Sequence, residues 1–334
     1  MSRLLFLSFA PIIRLNFRDR GLRVGGPLSR QAFLAPVLAL IVGCGGTGDR
    51  GGTGGSADGS AGGAIVVSEV GFQTPESVLH EPASDVYLVS NINGGPLDTD
   101  GNGFISRLSP EGEVLDLRWI DGASEGTILN APKGMAAVDG RLFVADIDCV
   151  RVFVLDSLEQ LEDICFPDAT FLNDLAVDAN GTLYVTDFGF TAGAEGLEPS
   201  GTDAVYRFTP DGRRQNMVMS PSLGNPNGIV VGPRGIFVVT FGTGEIFRLE
   251  ADAKRTPVLP PSNRQLDGVV FNNDGELIFS DWGGGAVYRI TRTGGVEAVL
   301  EGVSAPADIG YDAMRNRVLI PLFNDGAVHI VPLD

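Results

Sequence analysis

Histidine and basic residues are scarce in this 334-residue chain. Only two histidines occur, His80 and His329, so the sequence excludes a zinc site built from several histidines. Lysine and arginine number 24 against 42 aspartates and glutamates, which gives a formal net charge of −18. Such a surface repels nucleic acid and anionic membranes, and we exclude both as principal partners. The same charge also serves simply to keep a protein soluble.

The N-terminal region has the features of an export signal. An apolar run over residues 31–43 follows Arg30 and is too short to span a bilayer as a stable helix. It ends in an Ile-Val-Gly-Cys sequence at Cys44 that resembles a bacterial lipobox, whose cysteine thiol takes up diacylglycerol before cleavage. We predict a signal peptide over 1–43, lipidation at Cys44 and an extracytoplasmic, periplasmic lipoprotein. The alternative is an ordinary secretion signal with a chance cysteine.

Residues 44–63 are dominated by glycine and read as a flexible tether. A tether after a lipidated cysteine holds a folded domain off the membrane, so we expect membrane contact only through the anchor. From Cys44 onwards the chain carries 18 basic and 41 acidic residues, a formal charge of −23.

The two remaining cysteines are placed to form a disulfide. An exported domain folds in an oxidising compartment. Cys149 stands at the start of one predicted strand, and Cys165 stands near the end of the next. A hairpin that turns near residues 157–160 brings these positions together, and we predict a Cys149–Cys165 disulfide. The alternative is a pair of buried thiols.

Six copies of one β-rich unit repeat between residues 64 and 334. Each has an apolar run, a turn with glycine or asparagine, and a second apolar run; the copies begin at Val78, Met135, Leu175, Ile229, Val269 and Ile309. No useful length of chain has helical periodicity, and short β-runs repeating about every 40 residues are typical of propeller blades. We predict an all-β, six-bladed β-propeller over 64–334, with strand 64–70 completing the last blade.

The residue before each innermost strand is expected at one mouth of the central channel. Aligning the copies places these residues there: Glu76, Lys133, Asn173, Asn227, Asp267 and Ala307. The two longest intervals between them carry predicted loops at 91–102 and 188–202. Two carboxylates and two amides at one mouth would make an oxygen-rich cation site. Asparagine and aspartate before a strand are also ordinary turn residues, and spacing alone does not separate these alternatives.

The blade openings resemble those of a known family. Pro75-Glu76, Leu172-Asn173-Asp174, Pro226-Asn227-Gly228 and Leu266-Asp267-Gly268 carry the resemblance. They are similar to openings in the regucalcin-like family of senescence-marker proteins, gluconolactonases and luciferin-regenerating enzymes, and the likeness spans nearly all of 64–334. It implies that Glu76, Asn227 and Asp267 bind one divalent cation and that Asn173 contacts substrate. It also implies that Asp267 is the catalytic base.

A cation with three protein ligands keeps open positions for a water and a carbonyl oxygen. The resemblance therefore implies hydrolysis of a lactone or related ester, with Asp267 accepting a proton. We expect Ca²⁺, with Zn²⁺, Mg²⁺ and Mn²⁺ as alternatives, and a monomer that acts on a small molecule.

Phe171 and Lys133 depart from the family pattern. Lactonases of the family often carry arginine two residues before the Asn-Asp pair, where this chain has Phe171. A polar sugar lactone would lose a contact there, so a less polar substrate is expected. Lys133 brings a positive charge into the ring that competes with a metal unless it points away. Both are candidate substrate-binding residues, and both favour the alternative of a non-catalytic propeller that binds a sugar, peptide or protein at the channel mouth.

Overall fold

The computed structural model describes residues 63–334. The predicted signal peptide, Cys44 and nearly all of the predicted tether lie outside these residues. Within the described range, every regular element is a β-strand, and no helix is long and apolar enough to cross a membrane.

The strands form six four-stranded antiparallel sheets in a ring, together with one separate hairpin. The chain begins with β1 (Ile65–Val67) of blade 6, followed by β2 (Pro75–Glu81), β3 (Val86–Asn91), β4 (Phe104–Leu108) and β5 (Val114–Asp121) of blade 1 and by β6 (Pro132–Val138), β7 (Arg141–Asp146), β8 (Cys149–Val154) and β9 (Ile164–Cys165) of blade 2. Blade 3 contains β10 (Leu172–Val177) and β11 (Leu183–Asp187), then the inserted hairpin of β12 (Phe190–Gly193) and β13 (Gly196–Pro199), then β14 (Ala204–Phe208) and β15 (Arg214–Met219). Blade 4 contains β16 (Pro226–Gly232), β17 (Gly235–Thr240), β18 (Ile246–Leu249) and β19 (Arg255–Leu259); blade 5 contains β20 (Leu266–Phe271), β21 (Leu277–Asp281), β22 (Ala286–Ile290) and β23 (Val296–Glu301); and blade 6 ends the chain with β24 (Gly310–Asp312), β25 (Arg317–Leu322) and β26 (Ala327–Pro332). The predicted six-bladed β-propeller is confirmed.

The last blade is closed by the first strand, as predicted, although β1 is shorter than the expected 64–70. It pairs antiparallel with β26, placing Ile65 opposite Ile330. The inner ends of blades 6 and 1 are also joined, because the Asp308 amide donates a 2.9 Å hydrogen bond to the Glu76 carbonyl. The two ends of the ring are thus locked at its edge and at its axis.

The core consists of six apolar layers, each between two neighbouring blades. Between blades 1 and 2, for example, Leu88, Leu142 and Phe153 are at most 1% exposed. Burying one such side chain contributes roughly 1.5–3 kcal/mol. Because the layers alternate with the sheets, every blade is held by both neighbours.

Each of the five inner strands from β2 to β20 opens with a β-bulge. Here the strands converge on the axis so closely that some positions exclude a side chain. A Cβ on Gly228 would lie 2.4 Å from the Asp267 carbonyl oxygen, and one on Gly268 would lie 2.3 Å from the Ile309 amide nitrogen. This close approach explains why glycine follows Asn227 and Asp267 in the blade-opening motifs.

Two details concern the blade edges. Cys149 in β8 and Cys165 in β9 are register partners, and a disulfide joins them across the outer edge of blade 2. Residues 188–202, predicted as a loop, contain the hairpin β12–β13 instead. The segment connects β11 to β14 as the predicted loop would, but it pairs with itself rather than with blade 3.

Candidate active site

The structure brings the predicted axial residues together at the mouth where the inner strands begin. Each of the following residues occupies the second position of its inner strand, rather than the position before the strand as predicted: Glu76, Lys133, Asn173, Asn227 and Asp267. Ala307 lies three residues before β24. Its neighbour Pro306 forms a bridge with Leu322, the last residue of β25, just as the first residue of each other inner strand pairs with the last residue of its second strand. All six residues are at most 5% exposed.

Aspartates at the ends of the second strands fix the chain entering this ring. The Oδ1 atoms of Asp146, Asp187 and Asp281 accept backbone N–H bonds of 2.7, 3.1 and 3.1 Å from Ala131, Phe171 and Gln265, respectively. Each donor lies two residues before a ring residue. The backbone at the ring is therefore set before any ligand binds, which is the preorganisation that a binding site needs.

The ring holds four buried oxygen atoms that have no hydrogen-bond donor. They are Oε2 of Glu76, Oδ1 of Asn173, Oδ1 of Asn227 and Oδ1 of Asp267. Only one bond links these side chains to each other, from Asn227 Nδ2 to Asp267 Oδ2 at 3.3 Å. A buried acceptor without a partner costs roughly 1–3 kcal/mol, and four at one depth of one channel are an arrangement that a cation would satisfy.

The carboxyl groups of the ring are electrostatically strained. Burial raises the pKa of Glu76 well above its ordinary value, and the neighbouring Asp267 and Asp308 add to the effect. Burial and then Asp308 likewise raise the pKa of Asp267. Without a cation these groups hold protons more tightly than free carboxyls do, so a bound cation would displace protons.

Two carboxylates next to the ring had no assigned role in the sequence analysis. Asp174 accepts 2.7 Å bonds from the amides of Leu175 and Ile229, so it fastens blade 3 to blade 4 and its oxygens are occupied. Asp308 accepts a bond from the Ser77 hydroxyl, and burial raises its pKa to about 7. Both could have been recognised from the repeat alignment, because each directly follows the axial residue of its blade, Asn173 in blade 3 and Ala307 in blade 6.

Lys133 and Phe171 contact each other. The Lys133 ammonium donates a 2.8 Å bond to the Ala131 carbonyl and lies 4.8 Å from the centre of the Phe171 ring. Burial lowers the pKa of Lys133 to about 8, against the attraction of Asp146 and Glu76. The lysine is therefore directed toward the blade 2–blade 3 side. Phe171 is only 5% exposed, and its ring packs against Phe188 and Lys133.

The donor set fits a cation that prefers oxygen. Among residues 63–334, no three side chains of the His, Cys, Asp and Glu types are arranged around one metal position, so a site here must use amide oxygens. His80 bonds Asp85 at the opposite end of β2, and His329 lies in β26 on the outer side of blade 6. Carboxylate and amide oxygens without imidazole suit Ca²⁺, Mg²⁺ or Mn²⁺ better than Zn²⁺.

The fold and the site make this protein a β-propeller with oxygen atoms lining one mouth of its axial channel. Sequence comparison then identifies the family. The family model described as SMP-30/Gluconolactonase/LRE-like region matches residues 102–309. The chain belongs to this family, which confirms the predicted resemblance and supports lactonase-type function at the level of the family. No curated protein sequence matches the chain significantly.

Solved structures with the same fold include gluconolactonases and streptogramin B lyases. A gluconolactonase from Xanthomonas campestris is 19% identical, with 81% of this chain and 89% of that chain covered and a TM-score of 0.61. Virginiamycin B lyase from Staphylococcus aureus is 15% identical over 81% and 99% of the two chains, with a TM-score of 0.55. A streptogramin B lyase is 12% identical over 81% and 98%, with a TM-score of 0.57. At these identities the likeness establishes the fold.

Proposed function

We propose that the protein is a metal-dependent hydrolase of a lactone or related ester. The observation that carries the proposal is the set of four unpartnered buried oxygens on Glu76, Asn173, Asn227 and Asp267. Glu76, Asn227 and Asp267 would hold one divalent cation, Ca²⁺ in the first instance. Membership of a family that includes gluconolactonases supports the choice of substrate class.

A bound cation would polarise the substrate carbonyl and lower the pKa of a water molecule. Asp267 would accept the proton from the attacking water as general base, since its second carboxyl oxygen is oriented by the Asn227 amide. Asn173 would orient the substrate through its free amide oxygen. Lys133 would stabilise negative charge from one side of the mouth, where the Ala131 carbonyl holds its ammonium.

The location of the enzyme is part of the proposal. Export and lipidation at Cys44 would place the propeller outside the cytoplasm on a tether, where the disulfide between Cys149 and Cys165 would persist. Incorporation of labelled palmitate that is lost in Cys44→Ala would support the anchor. Unlabelled protein in the soluble fraction would contradict it.

The decisive experiment measures bound metal and lactone hydrolysis in the same preparations. The variants are Glu76→Gln and Asp267→Asn, with Glu81→Gln as matched control. Glu81 lies on the same strand as Glu76 and is equally buried at 5%, but its oxygens are used by the amides of Ala83 and Ser84. We expect the native protein and the control to bind one divalent ion per chain and to hydrolyse δ-lactones.

Both ring variants should lose the ion and at least roughly a thousandfold in kcat/KM, the scale of losing an electrostatic stabiliser. Equal metal content in all four proteins would overturn the metal site. Metal loss in the ring variants without any lactonase activity in the native protein would overturn the reaction and leave a binding propeller.

A non-catalytic binding propeller is the second candidate, and the buried Lys133–Phe171 contact favours it because a cation beside the ring opposes a metal. Lyase chemistry has less support. The inactive form of the Staphylococcus aureus lyase replaces a histidine, whereas both histidines of this chain lie away from the channel mouth.

A further inference from the structure

A second ring of residues surrounds the axial oxygens. We call it the collar, and it consists of the residue directly after the second strand of each blade: Ile92, Ile147, Phe188, Phe241, Trp282 and Phe323. All six are apolar and four are aromatic. All six except Ile92, which is buried, are partly exposed.

The backbone fixes the collar beside the axial ring. The amides of Phe241, Trp282 and Phe323 donate bonds of 2.9, 2.8 and 3.1 Å to the carbonyls of residues 225, 265 and 305. Those acceptors lie two residues before the axial residues of blades 4, 5 and 6. The collar is thus held at the same end of the channel as the candidate active site, one step further from the axis.

The aromatic members of the collar touch in sequence. Ring centres lie 5.5 Å apart for Phe188 and Phe241, 6.2 Å for Phe241 and Trp282, and 4.8 Å for Trp282 and Phe323. Phe171 and Phe190 extend this arc from Phe188, at 5.1 and 5.0 Å. The result is one continuous apolar surface that spans four blades and borders the polar mouth.

A surface of this kind selects among substrates by polarity. A polyhydroxylated lactone placed against phenyl and indole faces gives up hydrogen bonds with water that these rings do not replace. An alkyl or aryl substituent gains from the same faces, by about fourfold in affinity for each buried methylene.

We infer that the collar binds the apolar substituent of the substrate, so that the preferred substrates are lactones or esters with an extended alkyl or aryl group. The inference rests on the proposed function, since it uses the axial oxygens as the place where the polar group reacts. It sharpens that function from lactones in general to amphipathic lactones.

The test compares kcat/KM for δ-lactones of rising alkyl length, from δ-hexalactone to δ-dodecalactone, with D-glucono-δ-lactone as the polar member. We expect kcat/KM to rise by at least about tenfold along the series, in line with burial of several methylenes. Phe241→Ala and Trp282→Ala should remove most of this rise. Phe271→Ala is the matched control, because Phe271 pairs with Phe237 at 5.1 Å at the opposite end of the blades.

If kcat/KM does not change with alkyl length but hydrolysis still depends on Asp267, the proposed role of the collar is wrong and the hydrolase function stands. An unchanged profile in both collar variants would also overturn it.

Binding provides a readout that does not need turnover. The chain has two tryptophans, so Trp119→Phe leaves Trp282 as the only indole reporter. Saturable quenching by δ-dodecalactone but not by gluconolactone, in a protein that hydrolyses neither, would support the collar and overturn the hydrolase. No response to any lactone would overturn both, and a response only to lipid vesicles would assign the collar to a membrane instead.

Discussion

Two groups of buried carboxylates lie at opposite ends of the propeller, and they differ in what surrounds them. At the base, Asp312 accepts bonds from the Tyr87 hydroxyl, the Arg315 guanidinium and two backbone amides. At the mouth, Glu76 and Asp267 each keep an oxygen without a donor.

The pKa directions follow from this difference. Burial alone would raise the pKa of Asp312, but the Tyr87 and Arg315 donors outweigh it and the pKa is lowered. Burial raises the pKa of Glu76 and Asp267, and no set of donors compensates. A carboxylate with little solvent exposure is therefore structural where donors are supplied and ready for a ligand where they are not.

The largest expected effect is at the base. Asp312→Ala should lower the free energy of unfolding by about 3–5 kcal/mol, because it leaves buried donors and the Arg315 charge without their acceptor. Urea unfolding measures this, with Asp116→Ala as control, since the Asp116 carboxylate pairs with Arg107 at a half-exposed site. A loss that depends on added cation would show that the two ends are not separate.

The pH dependence of the cation-free protein should reveal the mouth. The pKa of Asp308 is raised by burial from 3.8 to about 7, so the folded state binds more protons than the unfolded state between these values. Stability therefore falls as pH rises from about 4 to 7, by on the order of 2–4 kcal/mol.

Asp308→Asn should flatten this fall, whereas the base groups, whose pKa values are lowered, contribute only below about pH 4. Thermal unfolding in chelator across this range is the measurement. A fall of equal size in Asp308→Asn would assign it to other groups.

Cation binding should stabilise the mouth and leave the base untouched. A divalent ion at about a hundredfold its Kd should add about 2.7 kcal/mol to the free energy of unfolding. Calorimetric scans with and without Ca²⁺ should show the shift in native protein and in Glu81→Gln, and no shift in Glu76→Gln. Stabilisation that survives in Glu76→Gln would place the ion elsewhere.

The smallest expected effect concerns Lys133, the positively charged side chain of the axial ring. Lys133→Met removes a positive charge near Glu76 and should raise the affinity for the divalent ion by roughly tenfold, about 1.4 kcal/mol. Isothermal titration measures this, and Lys254→Met, at an exposed turn, is the control. Weaker ion binding in Lys133→Met would mean that the lysine orders the site rather than opposing it.

The axial ring was predictable because equivalent residues of the sequence repeats occupy equivalent positions around the axis of a propeller. Glu76, Asn173, Asn227 and Asp267 could be aligned from the six repeats, and the structure places them at one mouth. The collar was not predicted, although Phe188, Phe241, Trp282 and Phe323 follow their second strands at a fixed repeat position. An aromatic residue after a strand reads as ordinary core until neighbouring blades set the rings in contact.

The sequence by itself determined the number of blades, the closing strand and the residue types at the axis, since alternating apolar runs and turn residues act over a few neighbours. Only the tertiary structure decided which polar groups are satisfied. Asp312 and Asp267 are the same residue type in the sequence. In the structure, Asp312 accepts hydrogen bonds from Tyr87 and Arg315, whereas Asp267 accepts one only from the Asn227 amide. Tyr87 lies 225 residues from Asp312 in the chain, and their hydrogen bond forms only when the ring closes.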